Sequence, residues 1–257
     1  MPAASGYYYF SHETKKLSRT PVIFIHGAGG THLSWPPQLR RLPDQNIFAL
    51  DLPGHGKSDG MGRQSIEAYA EDVVAFMTAV KIRTAVIVGH SMGSAIALTL
   101  ALKYPKRVRG LALIGGGAKL RVSPSILDGA KNENTFLPTV KMITGYSFSS
   151  NTPPRLVELA MERMAETRPS VLYNDFLACD AFNIADQIEQ IQTPTLILCG
   201  TEDKMTPLKY SESLRDKIPN AQLEVIDDAG HMSMLEQPDA VADSLSRFLN
   251  TLRGRAR

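Results

Sequence analysis

Long apolar runs are missing from this chain. None of its 257 residues lies in a stretch near the ~20 apolar residues that a membrane-spanning helix requires. The start, MPAASGYYYFSHETKKL, lacks a basic segment followed by an apolar one, so no secretory leader is expected and a cytoplasmic location is. Cysteine is scarce. Cys179 and Cys199 stand alone without metal-ligand spacing, which predicts two small buried hydrophobes in a reducing compartment, with no metal or organic cofactor. Charge of one sign is missing too: the net is +2, and nothing suggests a nucleic-acid partner. The tail RGRAR is basic but short, and is expected to fray. There are no internal repeats and no low-complexity linker. What remains is a chain with 43% hydrophobic residues, long enough for one large α/β domain and a substantial core.

Apolar strand-like runs recur at Tyr7–Phe10, Val22–Ile25, Ile47–Leu50, Ala85–Val88, Val108–Ile114, Thr195–Cys199 and Leu223–Ile226. Helical patterns separate them, such as the stripe Ile66, Tyr69, Ala70, Val73, Val74, Met77 and Val80, and near the end Val241, Leu245, Phe248, Leu249 and Leu252. Ungapped apolar strands alternating with helices predict a mostly parallel sheet covered on both faces. Sites in such sheets lie beyond the carboxyl ends of the strands. Between about Ala118 and Ile191 the alternation stops. No strand is evident there, aromatic and methionine residues are plentiful, and Pro124, Pro138, Pro153, Pro154 and Pro169 punctuate the segment. Several short helices over the carboxyl edge of the sheet are expected: a helical lid at 118–191 inserted in a core of 1–117 and 192–257.

The run Ala85–Val88 ends in Gly89-His90-Ser91-Met92-Gly93, and an apolar helical pattern follows. A tight βα turn would account for the two glycines alone. A strand, a sharp turn and a helix with serine at the corner are also what a nucleophile elbow requires. A serine nucleophile needs a base, an orienting acid and donors for an oxyanion. Of the six histidines, His231 in DDAGHMSMLEQP lies after the last strand, at the same sheet edge as Ser91. His26, His55 and His90 sit in other motifs, and His12 and His32 have no comparable setting. Among the acids, Asp203 in CGTEDKMTP follows the strand Thr195–Cys199. Glu202 is its neighbour, and Asp227 and Asp228 stand near His231 but would need a sharp fold-back to reach its Nδ1.

The segments FIHGAGG, DLPGHGKS, VGHSMGS, CGTEDKMTP and AGHMSMLEQP, in this order, resemble the α/β-hydrolase superfamily, most closely its lid-bearing serine esterases. The similarity runs from about Pro21 to Leu252. It implies Ser91 as nucleophile, His231 as base, Asp203 as the orienting carboxylate, and an oxyanion hole from the backbone N–H groups of Ala28 and Met92. It also implies a tight turn at Asp51, Gly54, His55 and Gly56, a packing role for Trp35 and a loop-steadying role for His26. An Asp51–His55 dyad is the rival to the turn. Ser94 departs from the second glycine of many members, but is small enough for the same packing.

The expected reaction is hydrolysis of short to medium acyl esters through an acyl-enzyme, by a monomer or homodimer acting on a small-molecule ester without a membrane partner. Carbon–carbon bond hydrolysis or enol-lactone opening in aromatic degradation is the alternative. A small-ligand sensor that retains the triad is the non-enzymatic one.

Overall fold

The computed structural model describes residues 3–14 and 19–253; the basic tail past Arg253 lies outside the described residues. In chain order the elements begin with β1 (Ala3–Ala4), β2 (Tyr7–His12), β3 (Val22–Ile25), α1 (Pro37–Arg40), β4 (Ile47–Leu50) and α2 (Ile66–Ala79). They continue with β5 (Ala85–His90), α3 (Met92–Lys103), β6 (Val108–Ile114), α4 (Pro124–Lys131), α5 (Glu133–Ser147), α6 (Pro154–Ala165) and α7 (Pro169–Ala181). The last are β7 (Thr195–Gly200), α8 (Leu208–Lys217), β8 (Ala221–Ile226), α9 (Ser233–Glu236) and α10 (Pro238–Arg253).

The strands form one sheet in the order β1-β2-β4-β3-β5-β6-β7-β8. Pairing is parallel from β4 through β8 and antiparallel at the β1–β2–β4 edge. Its faces follow the period of two that a pleated strand imposes. Ile23, Ile25, Ala85 and Ile87 join a cluster with α2, α3 and α8; Val22, Phe24, Val86 and Val88 join one with α1 and α10. This is the mostly parallel α/β sheet with helices on both faces that the alternation predicts.

Helix α2 shows the local logic. Ser65 caps it by accepting the Ala68 N–H, and Ile66, Tyr69, Ala70, Val73, Phe76 and Met77 are buried on one face. Trp35 is fully buried against Phe24, with ring centroids 4.7 Å apart. Four helices, α4 to α7, fill the span between β6 and β7, where no strand was expected. Ile126, Ala130, Phe136, Val140, Ile143, Leu172 and Phe176 form a small core of their own there.

Two features differ from the sequence reading. Prolines 124, 154 and 169 stand at helix N-termini, where their missing N–H costs nothing, but Pro138 sits inside α5 and does not break it. The two-residue β1 is an addition at the antiparallel edge that two alanines do not advertise.

Candidate active site

Ser91 is placed by strain and by close packing. At the end of β5 it adopts φ 52° and ψ −115°, a left-handed backbone that a non-glycine residue takes only where its surroundings impose it. Those surroundings are tight. A Cβ on Gly89 would lie 2.1 Å from Gly93 O, and one on Gly93 would lie 2.1 Å from Ile25 O, so only glycines let β5, α3 and β3 approach this closely. Ser91 N–H donates to Ile114 O at 2.9 Å, tying the corner to β6. Ser94 Oγ donates to Gly89 O at 2.7 Å, so the serine that replaces a second glycine adds a strut behind the turn.

His231 lies in the loop after β8, and its Nδ1–H donates to Asp203 Oδ2 at 2.9 Å. Asp203 follows β7. Its Oδ1 accepts the N–H groups of Met205 (2.9 Å) and Thr206 (2.8 Å), and its Oδ2 also accepts the Thr206 hydroxyl at 2.9 Å. Burial works to raise the Asp203 pKa, but His231 and the Thr206 bonds outweigh it and hold the group below its ordinary value. It is an anion at neutral pH, with the imidazole fixed in one tautomer. His90 Nε2–H donates to the backbone O of His231 at 3.0 Å. Burial, and then the neighbouring His231, push the His90 pKa down to about 3, so it serves as a neutral strut.

Ser91, Asp203 and His231 are thus brought to one edge of the sheet. Glu202, Asp227 and Asp228 are not on the His231 ring: Glu202 accepts the Ser150 N–H and hydroxyl at 3.0 Å instead. Sequence reasoning missed Thr206, although an aspartate followed three residues later by threonine is a local capping pattern.

Met92 is the first residue of α3, so its N–H has no intrahelical partner and lies at the positive end of the helix dipole. Ala28 and Ser91 border the same cavity space. The peptide before Ala28 is held through Gly27 O, which accepts from Gly30 N–H at 3.0 Å and from His26 Nδ1–H at 2.8 Å. His26 Nε2 accepts the Leu52 N–H at 3.1 Å, and burial lowers the His26 pKa to about 4, so the ring is neutral. The tight turn after β4 is present, with His55 N–H donating to Leu52 O at 2.9 Å and Gly54 and Gly56 at φ +83° and +52°. Asp51 Oδ1 pairs with His32 Nδ1 at 2.8 Å, and His55 Nε2 pairs with Asp175 Oδ2 at 2.8 Å. No Asp51–His55 dyad forms.

A cavity of about 270 Å³ opens on Ser91 and His231, with an apolar wall from Ile143, Phe148, Leu156, Leu159, Met164 and Leu235. Arg163 and Glu166, an ion pair at 3.3 Å, also line it. A smaller cavity of about 60 Å³ adjoins it, lined by Lys119, Arg121, Val122, Cys179 and Tyr210, and the two share Ala28, Ser91, Phe176, Met205 and His231. Of the aromatics in the segment between β6 and β7, Phe148 and Phe176 face this space, Tyr146 is exposed and Phe182 joins the main core. Among the described residues, no group of three or more His, Cys, Asp or Glu side chains could hold a metal ion. No helix among them is long and apolar enough to cross a membrane.

Known proteins resemble this chain in sequence and fold. A thermophilic esterase of solved structure is 32% identical, with a TM-score of 0.83 covering 96% of this chain and 98% of that one. The 3-oxoadipate enol-lactonase 1 of Acinetobacter baylyi is 27% identical over 90% of this chain and 89% of its own length. The dihydrolipoyllysine-residue acetyltransferase component of the acetoin cleaving system of Pseudomonas putida is 29% identical over 90% of this chain, which spans 63% of that longer protein. Residues 20–238 match the family described as the alpha/beta hydrolase fold, and the chain belongs to that family.

Proposed function

We propose that the protein is a serine hydrolase that cleaves carboxylic esters of short to medium acyl chains. The observation that carries this reading is an apolar cavity of about 270 Å³ opening on Ser91, beside a histidine already oriented by a buried carboxylate. Ser91 Oγ attacks the ester carbonyl and passes its proton to His231 Nε2, while Asp203 stabilises the imidazolium. The oxyanion forms between the N–H groups of Ala28 and Met92. Each such donor is worth about 3 kcal/mol in the transition state. His231 then protonates the leaving alcohol, and a water deprotonated by His231 releases the acid.

Residues 118–191 serve as the lid. Helix α6 has no buried residue, and its Leu156, Leu159, Ala160 and Met164 line the cavity as a roof. The segment before it is tied to the core by Glu236, which accepts from Ser149 N–H (2.7 Å), Thr152 O–H (2.5 Å) and Gly230 N–H (2.8 Å). A chain entering under this roof gains roughly 0.8 kcal/mol per buried methylene until the cavity is full. The test is kcat/KM over p-nitrophenyl esters from acetate to palmitate, with EDTA present. An optimum at short to medium length is expected, and a steady rise to palmitate would make the protein a lipase instead.

Lactone opening is the second reading. It uses the same chemistry, the enol-lactonase relative points to it, and Lys119 and Arg121 at the smaller cavity suit an anionic substrate. A lactone carboxylate assayed beside the ester panel separates the two by their kcat/KM.

A further inference from the structure

Asp175 stands on α7, in the segment between β6 and β7, and is fully buried. A carboxylate there is costly unless every lone pair it presents is met. Three groups from three separate parts of the chain meet it. Oδ2 accepts the Gly29 N–H at 2.9 Å and the His55 Nε2–H at 2.8 Å, and Oδ1 accepts the Tyr69 hydroxyl at 2.5 Å. His55 Nδ1 lies 3.1 Å from Pro53 O, so both ring nitrogens face acceptors and the ring is an imidazolium. Burial works against that charge, but the Asp175 carboxylate outweighs it and raises the His55 pKa above its ordinary value. Burial and Asp175 together raise the Tyr69 pKa, so the phenol stays a donor.

The informative partner is Gly29. A peptide unit is planar, so a hydrogen bond at its C=O or N–H restrains the tilt of the whole plane. The plane that carries the Ala28 N–H is held at Gly27 O by Gly30 and His26. The next plane, from Ala28 to Gly29, is held at the Gly29 N–H by Asp175. The plane after that is held at Gly29 O by the Thr167 hydroxyl at 3.0 Å, again from the α6–α7 segment. Restraints on both planes limit the two Ala28 torsions that join them, and with them the residual tilt of the Ala28 N–H. The Gly29 N–H shares Oδ2 with His55, so the carboxylate that needs these donors also holds the backbone of the loop beside Ser91.

We propose that Asp175 is a positioning residue for the oxyanion hole: it clamps the Gly29 peptide so that the Ala28 N–H is preorganised toward Ser91, and it makes the hole depend on a docked α7. This rests on the Ser91 hydrolase reading. Asp175 touches no reacting atom, so its effect lies in the transition state and not in substrate binding.

The test uses Asp175→Asn and Thr167→Val in the full chain, with active sites counted by fluorophosphonate titration. Two quantities are read: kcat and KM for a short-chain p-nitrophenyl ester, and Ki for a trifluoromethyl ketone of the same chain, whose adduct oxygen occupies the hole. Complete loss of one oxyanion donor lowers kcat by about 10²–10³, so a misaimed one should lower it about 10- to 100-fold. Asp175→Asn is expected to lower kcat by that factor and weaken Ki in proportion, with KM within about two-fold. Thr167→Val, which leaves the ion pair intact, should shift kcat and Ki the same way by a smaller factor. If Asp175→Asn folds with kcat per active site and Ki both unchanged, the inference is overturned even if its melting temperature drops. If Asp175→Asn does not fold, an unmoved Ki in Thr167→Val overturns it. Wild-type protein that neither turns over the ester nor binds the ketone overturns the Ser91 reading, and the inference with it.

Discussion

Gly115 offers a way to disturb the His231–Asp203 pair without touching either residue. It follows β6 with φ +56° and donates its N–H to Leu198 O at 3.0 Å. Replacing it with alanine has two consequences of different kind. The left-handed backbone costs an L-residue about 1–2 kcal/mol. The new Cβ would also lie 2.9 Å from His231 Nδ1, 3.0 Å from its Cε1 and 3.3 Å from Asp203 Oδ2. Ordinary contact between such atoms is about 3.5–4.0 Å, so the imidazole must retreat by roughly 0.5–1 Å. A misplacement of that size costs about 10²-fold in rate. Gly115→Ala should therefore melt about 2–8 °C lower and lose about 100-fold in kcat per titrated active site, with KM little changed. Gly145 on α5 is the control, because a Cβ there meets nothing within 4 Å. Gly145→Ala should leave kcat alone and gain up to ~1 kcal/mol of stability from reduced chain entropy. A folded Gly115→Ala enzyme with wild-type kcat would show that the His231–Asp203 geometry is not what sets the rate.

Other perturbations reach the same site by different routes. Asp203→Asn should lower kcat by about 10⁴, because the amide no longer selects the working tautomer, while Asp227→Asn and Asp228→Asn change it less than about three-fold; a larger loss at either of those two in steady-state assays would relocate the acid. Acid should weaken the fold through His26 and His90, whose folded pKa values of about 4 and about 3 lie below the ordinary 6.5. Their folded pKa values are depressed, so the unfolded chain binds more protons as pH falls below about 6.5, and each histidine costs on the order of 2 kcal/mol by pH 5. His55, with its pKa raised, works in the opposite direction over that range and offsets part of this. Urea midpoints at pH 7 and pH 5 measure the balance, and a midpoint that does not fall at pH 5 contradicts the burial of two neutral rings. Glu236→Gln weakens the tether between Ser149, Thr152 and Gly230, and proteolysis of the α5–α6 link should speed up several-fold; unchanged cleavage would show that the tether does not restrain that segment.

Strands β3 to β7 are legible because a parallel sheet covered on both faces demands unbroken β-branched and apolar residues, and Val22–Ile25 or Ala85–Val88 can be little else. The elbow is legible for a related reason, since two glycines flanking a serine mark backbone contacts that no side chain would survive. Pairings set by the tertiary fold were harder to see. His55 reads as a turn residue from its neighbours, and its partner Asp175 comes from α7, 120 positions later. One signal was present: Val171, Leu172, Asp175, Phe176 and Cys179 share a helical face, and a lone carboxylate on such a face needs buried partners. His32 was passed over because its partner Asp51 sits in a different motif. Pro138 misled in the other direction, because proline discourages helix locally, whereas the buried stripe of Phe136, Val140 and Ile143 holds α5 together through it.

Covalent labelling tests the Ser91 assignment most directly. The protein is incubated with a fluorophosphonate, the adduct is mapped by mass spectrometry, and hydrolysis of a short-chain p-nitrophenyl ester is followed in parallel. Ser91 is the one serine at the strained corner beside His231, so a single adduct at Ser91 is expected, with ester hydrolysis lost in step with labelling. Both should vanish in Ser91→Ala while its circular dichroism and melting temperature stay close to wild type. Labelling at another residue, or a folded Ser91→Ala protein that still turns over the ester at the wild-type rate, would contradict a Ser91 nucleophile.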